Sequence, residues 1–128
     1  MYTMLKTLKI TIVEDETPIR NMYKYKLDSA GYEVSIAIDG KDGIEVIGRE
    51  KPDLVLLDIK MPKLPGQEVL RWLRSTKWGA NTKVIVLTNI SKSEAPAEFR
   101  FMQVDQYIIK AHYTPTQVLQ IVEQVLAK

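Results

Sequence analysis

The sequence predicts an α/β fold in which helices cover both faces of a five-stranded parallel sheet. Apolar runs alternate with amphipathic stretches along the whole chain, and this alternation is typical of βα units around a parallel sheet. The run Leu54–Leu57 is apolar at every position, which suits a central strand buried on both sides. The chain contains no internal repeat and no low-complexity tract. We therefore expect one domain over residues 1–128, with its core at about 8–126.

The first two βα units carry clear start and stop signals. The first strand is predicted at Lys9–Val13, and Thr17 then supplies an N-cap residue followed by a proline in the first helical turn. Gly31 terminates this helix, the second strand is predicted at Glu33–Ala37, and Asp39 is suited to cap the second helix. Apolar residues at helical spacing define the buried face of the first helix: Ile19, Met22, Tyr23 and Leu27.

The later units follow the same alternation. After the third strand come a loop and a helix predicted at about Gln67–Ser75, and then a fourth strand at Val84–Leu87. The fifth strand is predicted at Gln106–Ile109. The fifth and last helix opens at Thr114, where a capping box precedes the apolar stripe.

The fourth helix is the hardest to place because it contains a proline. Ser91 and Glu94 have the spacing of a capping box, but a start there would put Pro96 inside the helix, where it removes a backbone hydrogen bond. A cap at Ser93 would put this proline in the first turn instead. We therefore expect a short fourth helix that starts late and ends near Met102.

Composition excludes several classes of function. The chain has 128 residues, 45% hydrophobic and 27% charged, which are ordinary values for a globular domain. Its formal net charge is +2 and no basic run exceeds two residues, which argues against direct nucleic-acid binding. Without cysteine, disulfides, thiolate zinc sites and thiol nucleophiles are impossible. Met1–Thr7 lacks the apolar core of a signal peptide and no apolar stretch approaches a membrane span, so we expect a cytoplasmic protein with no membrane partner.

Residues suited to phosphoryl chemistry follow four of the predicted strands. Glu14 and Asp15 come after the first strand, Asp58 after the third, Thr88 after the fourth and Lys110 after the fifth. In an open parallel sheet, ligands bind outside the carboxyl ends of the strands, where strand order reverses. Three carboxylates form a hard, oxygen-rich site suited to Mg²⁺, and a lysine opposite them suits a phosphoryl group. The sequence therefore predicts a phosphoryl site at this edge of the sheet.

Four segments of the chain contain these residues and follow one another at the ends of successive predicted strands: Ile12-Val13-Glu14-Asp15-Glu16, Asp58-Ile59-Lys60-Met61-Pro62-Lys63-Leu64-Pro65-Gly66, Leu87-Thr88 and Tyr107-Ile108-Ile109-Lys110. Their order and spacing resemble a response regulator receiver domain, and the resemblance covers about Leu8 to Leu126. It implies a flavodoxin-like, doubly wound (βα)5 fold with strand order 2-1-3-4-5, whose switch point lies between the first and third strands.

The resemblance implies a role for each residue of the acidic edge. Asp58 matches the phosphoacceptor, a carboxylate that attacks phosphorus and becomes an aspartyl phosphate. Asp15 and Glu14, together with Asp58 and the backbone carbonyl of Lys60, would hold Mg²⁺. Two carboxylates about 6 Å apart repel by roughly 3 kcal/mol at an effective dielectric near 20, and a divalent ion reverses that sign. Lys110 matches the lysine that pairs with the phosphoryl oxygens.

The resemblance also implies a switch and a set of partners. Thr88 matches the hydroxyl that turns toward the phosphoryl group, and Tyr107 matches the aromatic side chain that moves with it. The implied phosphodonor is a sensor histidine kinase or a phosphotransfer protein, and the signal would pass to a downstream protein target. The face formed by the fourth helix, fifth strand and fifth helix would bind that target or a second copy of the chain. The chain would be a signalling domain in a phosphorelay and not an enzyme.

Two departures from the family pattern keep other readings open. Ala111 stands where the family usually has proline, so we expect a trans bond there, because a cis bond before another residue type costs about 2.5–4 kcal/mol. Asn89 stands where the family usually has a small residue. Both give weight to a pseudo-receiver, a binding module that takes no phosphate. A small aspartate-nucleophile phosphatase is less well supported, because the segment Asp58-Ile59-Lys60 lacks the second acid of such enzymes.

Overall fold

The computed structural model describes residues 6–128, and in this range five strands alternate with four α-helices and short 3-10 segments. Residues 1–5 of the predicted domain lie outside the described range. The strands are β1 (Lys9–Val13), β2 (Glu33–Ala37), β3 (Leu54–Leu57), β4 (Lys83–Thr88) and β5 (Gln106–Ile109). The α-helices are α1 (Thr17–Ser29), α2 (Gly40–Glu50), α3 (Gly66–Ser75) and α4 (Pro115–Leu126).

All strand pairs are parallel, and the sheet has the order β2-β1-β3-β4-β5. This confirms the predicted fold class and strand order. All four residues of β3 are buried, as expected for a strand covered on both faces. The order reverses between β1 and β3, so the carboxyl ends of these two strands border the crevice where such sheets bind ligands.

Two apolar clusters occupy the two faces of the sheet. Helices α1 and α4 cover one face, and α2 and α3 cover the other. The first cluster includes Ile10, Ile12, Tyr23, Leu27, Leu54, Leu56, Ile85, Leu87, Ile108, Val118, Val122 and Val125. The second includes Val13, Ala37, Val46, Ile47, Val55, Leu57, Val69, Leu70, Leu73, Val84, Val86 and Phe99. Strand residues alternate between the two lists, because successive side chains of a strand point to opposite faces.

The helix ends agree with most of the predicted signals. Asp39 Oδ1 accepts from the Asp42 amide at 2.7 Å, and Thr114 and Gln117 form the predicted capping box at the start of α4. Gly31 follows α1 with φ 96, a left-handed conformation that glycine adopts without steric cost. The predicted cap at Thr17 was wrong: the helix begins at this residue.

The predicted fourth α-helix is a 3-10 segment at Ala97–Phe101. The late start and the end next to Met102 agree with the prediction, but neither Ser91 nor Ser93 caps the segment. Pro96 precedes it with ψ 132, an extended conformation, and proline also disfavours helical geometry at the residue before it. The five predicted helices are therefore four α-helices and a 3-10 segment within the described part of the chain.

The end of α3 lies against a second 3-10 segment, Trp78–Asn81. The ring centroids of Trp72 and Trp78 are 6.0 Å apart and their planes meet at 74°, an edge-to-face contact. Arg74 ties α3 to the segment before β5 by donating to the carbonyls of Met102 and Gln103 at 2.9 and 2.7 Å. Across residues 6–128, no helix has the length and apolar character needed to cross a membrane.

Candidate functional site

Backbone hydrogen bonds continue past the ends of β1 and β3 and hold two acidic residues in place. The Glu14 amide donates to the Ala37 carbonyl at 3.1 Å, and the Asp58 amide donates to the Val13 carbonyl at 3.1 Å. Both acids are therefore fixed by the sheet before their side chains make any contact. When the backbone of ligand residues is already fixed in this way, less conformational entropy is lost on binding.

The carboxylates of Glu14, Asp15 and Asp58 form one cluster. A ligand oxygen can be chosen from each so that all three lie within 4.8 Å of one another. Glu14 and Asp58 are buried and Asp15 is half-buried. Such a group of hard oxygen donors fits the ligand preference of Mg²⁺, and the cluster brings together the three carboxylates that the sequence predicted.

Lys110, which follows the edge strand β5, reaches the cluster across β4. Its Nζ atom lies 3.0 Å from Asp58 Oδ2 and also pairs with Glu14 Oε1, and its side chain is only 8% exposed. Burial lowers the pKa of this lysine, but the bond to Glu14 and the negative charge of Asp58 outweigh it and leave the pKa raised. In this arrangement one ammonium compensates two buried carboxylates.

Burial also acts on the acid that Lys110 contacts. Desolvation raises the pKa of the Glu14 carboxyl, and the hydrogen bond from Lys110 only partly offsets this effect. Glu14 Oε2 accepts a further bond from the Glu16 amide at 3.1 Å. The carboxylate is thus held on both oxygens, which makes it a rigid member of the cluster.

The loop after β3 shapes the surroundings of Asp58. Asp58 Oδ1 accepts from the Ile59 amide at 2.7 Å, and the Gly66 amide donates to the Ile59 carbonyl at 2.7 Å. A Cβ atom on Gly66 would lie 2.1 Å from the Asp58 carbonyl oxygen, so this position requires glycine. The side chain of Lys60 is exposed. That its backbone carbonyl binds Mg²⁺ stays a prediction.

Thr88 and Tyr107 contact the same residue of the loop after β4. Thr88 is 1% exposed, and its hydroxyl accepts from the Ile90 amide at 3.4 Å. The Tyr107 hydroxyl donates to the Ile90 carbonyl at 2.7 Å. The sequence pattern identifies Thr88 and Tyr107 but not Ile90. Ile90 connects them through its backbone amide and carbonyl, which every residue type has, so its side chain gives no sign of this role.

The two departures from the family pattern lie beside Lys110. No cis peptide bond occurs among the described residues, so the bond before Ala111 is trans, as predicted. A 3-10 turn, Lys110–His112, follows β5 directly. Asn89 is exposed and shares with Lys110 the lining of a cavity of about 210 Å³. Asn89 therefore borders the same opening as the lysine.

Arg20 is a further buried charged residue beside the cluster, and its sequence position does not mark it as part of a site. It lies on α1 and is 8% exposed, with Nη1 donating to the Glu14 carbonyl at 2.8 Å and Nη2 to the Thr17 hydroxyl at 3.2 Å. The only signal in the sequence is the three-residue spacing from Thr17, which places both side chains on one helix face.

Comparison with known proteins gives a consistent result. The family model described as the response regulator receiver domain matches residues 10–123 of the chain. The chain is 40% identical over 81 residues to the response regulator MprA of Mycolicibacterium vanbaalenii, a match that covers 63% of this chain and 34% of that protein. The chain thus matches only about a third of that relative's length.

Solved structures show the same similarity over nearly the whole chain. A CheY-like response regulator receiver domain protein from Methanospirillum hungatei superposes with a TM-score of 0.85 at 30% identity, covering 95% of each chain. The BeF3-activated receiver domain of RstA from Klebsiella pneumoniae has a TM-score of 0.82 at 30% identity, covering 94% of this chain and 99% of that one.

Proposed function

Because the chain belongs to the response regulator receiver domain family, we propose that it accepts a phosphoryl group on Asp58 and passes the signal to another protein. The observation that carries this proposal is the convergence of the three carboxylates with the ammonium of Lys110 at the crevice between β1 and β3. The proposed donor is a phosphohistidine on a sensor histidine kinase or a phosphotransfer protein. The domain would signal without catalysing turnover of an external substrate.

Asp15, Glu14, Asp58 and the carbonyl of Lys60 are the residues that would hold Mg²⁺. When bound, the ion supplies positive charge that neutralises the transferring phosphoryl group. The fit rests on the donor set, since the three carboxylates can each direct an oxygen to one place. Lys110 is the only ammonium that contacts this cluster within residues 6–128.

Asp58 would act as the nucleophile. A carboxylate oxygen forms a bond to phosphorus while the bond from phosphorus to the donor nitrogen breaks, and the electron pair of that bond stays on the nitrogen. The bond from the Ile59 amide to Oδ1 fixes the carboxylate plane, and Lys110 lies at Oδ2. The ammonium is thus placed to neutralise charge on the phosphoryl oxygens as the new bond forms.

Ile90 offers a physical route from the site to the surface. If the Thr88 hydroxyl turns toward a phosphoryl oxygen, it gives up the weak 3.4 Å contact with the Ile90 amide. The same residue accepts the hydrogen bond from Tyr107, so a shift of this loop changes the position of both groups. Tyr107 and the 3-10 segment Ala97–Phe101 line a groove of about 770 Å³, and this face is the proposed site for a downstream protein or a second copy of the chain.

The test is phosphorylation of the purified chain by acetyl phosphate with Mg²⁺, followed by intact-mass measurement. We expect wild type to gain one phosphoryl group and Asp58→Asn to gain none. Asp28→Asn is the matched control, because Asp28 is an exposed carboxylate on α1 and should leave the reaction unchanged. A wild-type chain that stays unmodified, and that does not respond to beryllofluoride, would favour the pseudo-receiver reading.

The switch needs a separate test. With beryllofluoride bound, we expect the NMR signals of the Tyr107 ring to shift in wild type and in Thr88→Ser, which keeps the hydroxyl. Thr88→Ala should bind beryllofluoride and leave the Tyr107 signals in place. An equal shift in Thr88→Ala would rule out the hydroxyl as the link.

A further inference from the structure

Arg20 reaches from α1 to the backbone of the acidic loop after β1. The residue is 8% exposed, and its guanidinium donates to the Glu14 carbonyl at 2.8 Å and to the Thr17 hydroxyl at 3.2 Å. It makes no ion pair with a carboxylate among residues 6–128, although the acidic cluster begins at the residue whose carbonyl it holds. Arg20 therefore contacts the peptide backbone of the site and leaves the ligand oxygens free.

The burial of Arg20 carries a free-energy cost. Arg20 Nε is buried and makes no hydrogen bond with any residue in the described range. A buried N–H without a partner costs free energy, and burying the charge of a guanidinium adds to that cost. A side chain that is costly to bury and bonds the loop of a binding site is a candidate for a role in that site.

The hydrogen bonds around Glu14 show what Arg20 contributes. The amide of Glu14 is held by Ala37, and its carboxylate is held by Glu16 and Lys110. The remaining group is the carbonyl, which belongs to the peptide unit joining Glu14 to Asp15. Arg20 holds that carbonyl, and this planar peptide fixes the N and Cα atoms of Asp15, from which the next side chain leaves the backbone.

We infer that Arg20 is a positioning residue for the Mg²⁺ site, because it fixes the Glu14–Asp15 peptide and thereby aims the Asp15 carboxylate at the cluster. The inference rests on the proposed function, since it concerns the same metal site. Groups that orient metal ligands from behind affect metal affinity by roughly 10- to 100-fold when removed. Arg20 acts on the ligand through one peptide bond, without touching the ion.

An effect of charge and an effect of geometry predict opposite changes in Mg²⁺ affinity when Arg20 is replaced. A guanidinium beside the cluster repels a dication, so its loss would strengthen Mg²⁺ binding if charge alone mattered. If Arg20 aims Asp15, its loss weakens Mg²⁺ binding in spite of the more negative site. A lysine keeps the charge but lacks the planar fork that bonds two acceptors at once, so Arg20→Lys separates the two effects.

The experiment measures Mg²⁺ affinity by calorimetry for wild type, Arg20→Lys and Arg20→Met. We expect both variants to bind roughly tenfold more weakly or worse. Lys24→Met is the control, since it removes a cation from an exposed position on α1 and should leave affinity within about twofold. Urea unfolding monitors the fold, and Arg20→Lys remains informative if Arg20→Met does not fold, because it keeps the charge and most of the stem.

A second measurement does not depend on the metal. In the metal-free protein, the NMR amide signals of Asp15 and Glu16 should shift in Arg20→Lys and stay unchanged in Lys24→Met. Equal or tighter Mg²⁺ binding by both Arg20 variants would overturn the inference and leave the proposed function standing. A wild-type chain that fails to bind Mg²⁺ would overturn both.

Discussion

Lys110 Nζ lies 3.0 Å from Asp58 Oδ2, and this bond crosses β4 to join the ends of β5 and β3. The distance between the strands is set by the sheet, so the ammonium reaches the carboxylate only because its stem extends over the neighbouring strand. The same Nζ atom pairs with Glu14 at the end of β1. A single cation therefore links the ends of three strands at the acidic edge of the sheet.

Replacing Lys110 should destabilise the protein, because the buried acids would lose their compensating charge. Lys110→Met keeps an unbranched stem but leaves Glu14 and Asp58 buried without an opposite charge. We expect the free energy of unfolding without Mg²⁺ to fall by about 3 kcal/mol or more, with part of the loss recovered when Mg²⁺ is added. Urea unfolding with EDTA and with excess Mg²⁺ measures both values.

Lys83→Met is the control for this prediction. Lys83 is 36% exposed and lies 3.9 Å from Asp105, so its loss should cost under about 1 kcal/mol. If the two substitutions had equal effects, the buried ion pair would not have the role assigned to it.

Asp15→Asn should stabilise the metal-free protein. The three carboxylates lie within 4.8 Å, where two full charges repel by roughly 3 kcal/mol at an effective dielectric near 20. Because Asp15 is half-buried and Lys110 already offsets its neighbours, we expect a net gain of about 1 kcal/mol in unfolding free energy. Mg²⁺ affinity, measured by calorimetry, should fall sharply.

The opposite pair of results would contradict this account of the cluster: a less stable metal-free protein with unchanged Mg²⁺ affinity. Asp28→Asn, on the exposed side of α1, should change stability by no more than about 0.5 kcal/mol and serves as the comparison.

Tyr107 should make stability depend on alkaline pH. Burial raises the pKa of its phenol above the usual value of 10.0, and the charges of Asp58 and Glu94 act in the same direction. A raised pKa means that the folded state favours the neutral phenol. The resulting stability is fully present below about pH 10 and is lost as the pH rises through the folded-state pKa.

We therefore expect unfolding free energy above pH 10 to fall more steeply with pH in wild type than in Tyr107→Phe. At neutral pH the substitution should cost about 1 kcal/mol, because the Ile90 carbonyl loses its hydrogen bond. Tyr25→Phe, at a residue that is 76% exposed, should keep the wild-type slope. An unchanged slope in Tyr107→Phe would contradict the prediction.

Two glycines offer a matched pair of alanine substitutions. Gly66→Ala would place Cβ 2.1 Å from the Asp58 carbonyl oxygen, and backbone must move to admit it, so we expect a loss of about 1–3 kcal/mol or more and weaker phosphorylation. Gly48→Ala, within α2, brings Cβ to 3.6 Å from the Trp72 ring, an ordinary contact. It should stabilise the protein by about 0.5–1 kcal/mol, because alanine favours the helix. Urea unfolding checks both, and a loss at Gly48 would show that the difference is not steric.

The strands could be predicted closely because their burial leaves few alternatives. Leu54–Leu57 is apolar at all four positions and is a strand with those bounds. The segment around Pro96 could not be assigned with the same certainty, because proline competes with the local capping signals and the outcome depends on contacts with the sheet. Thr17 was placed one position off, which is the usual uncertainty of a helix end.

The acidic edge could be predicted because strand order alone brings its residues together. Asp15 and Asp58 follow strands that are neighbours in a sheet of this order, so their proximity needed no side-chain detail. Arg20 and Ile90 could not be found in this way. The first resembles any polar residue on an amphipathic helix, and the second acts through backbone atoms that every residue type shares.

The edge-to-face pair of Trp72 and Trp78 has a practical consequence for all of these measurements. The helix α3 begins at Gly66, beside Asp58, and Trp72 lies roughly 9 Å further along its axis. Trp72, which contacts Trp78, therefore lies about two helical turns along α3 from the end that borders Asp58. Fluorescence will report global unfolding with little interference from ligands, whereas events at the carboxylates must be followed through tyrosine resonances or heats of binding.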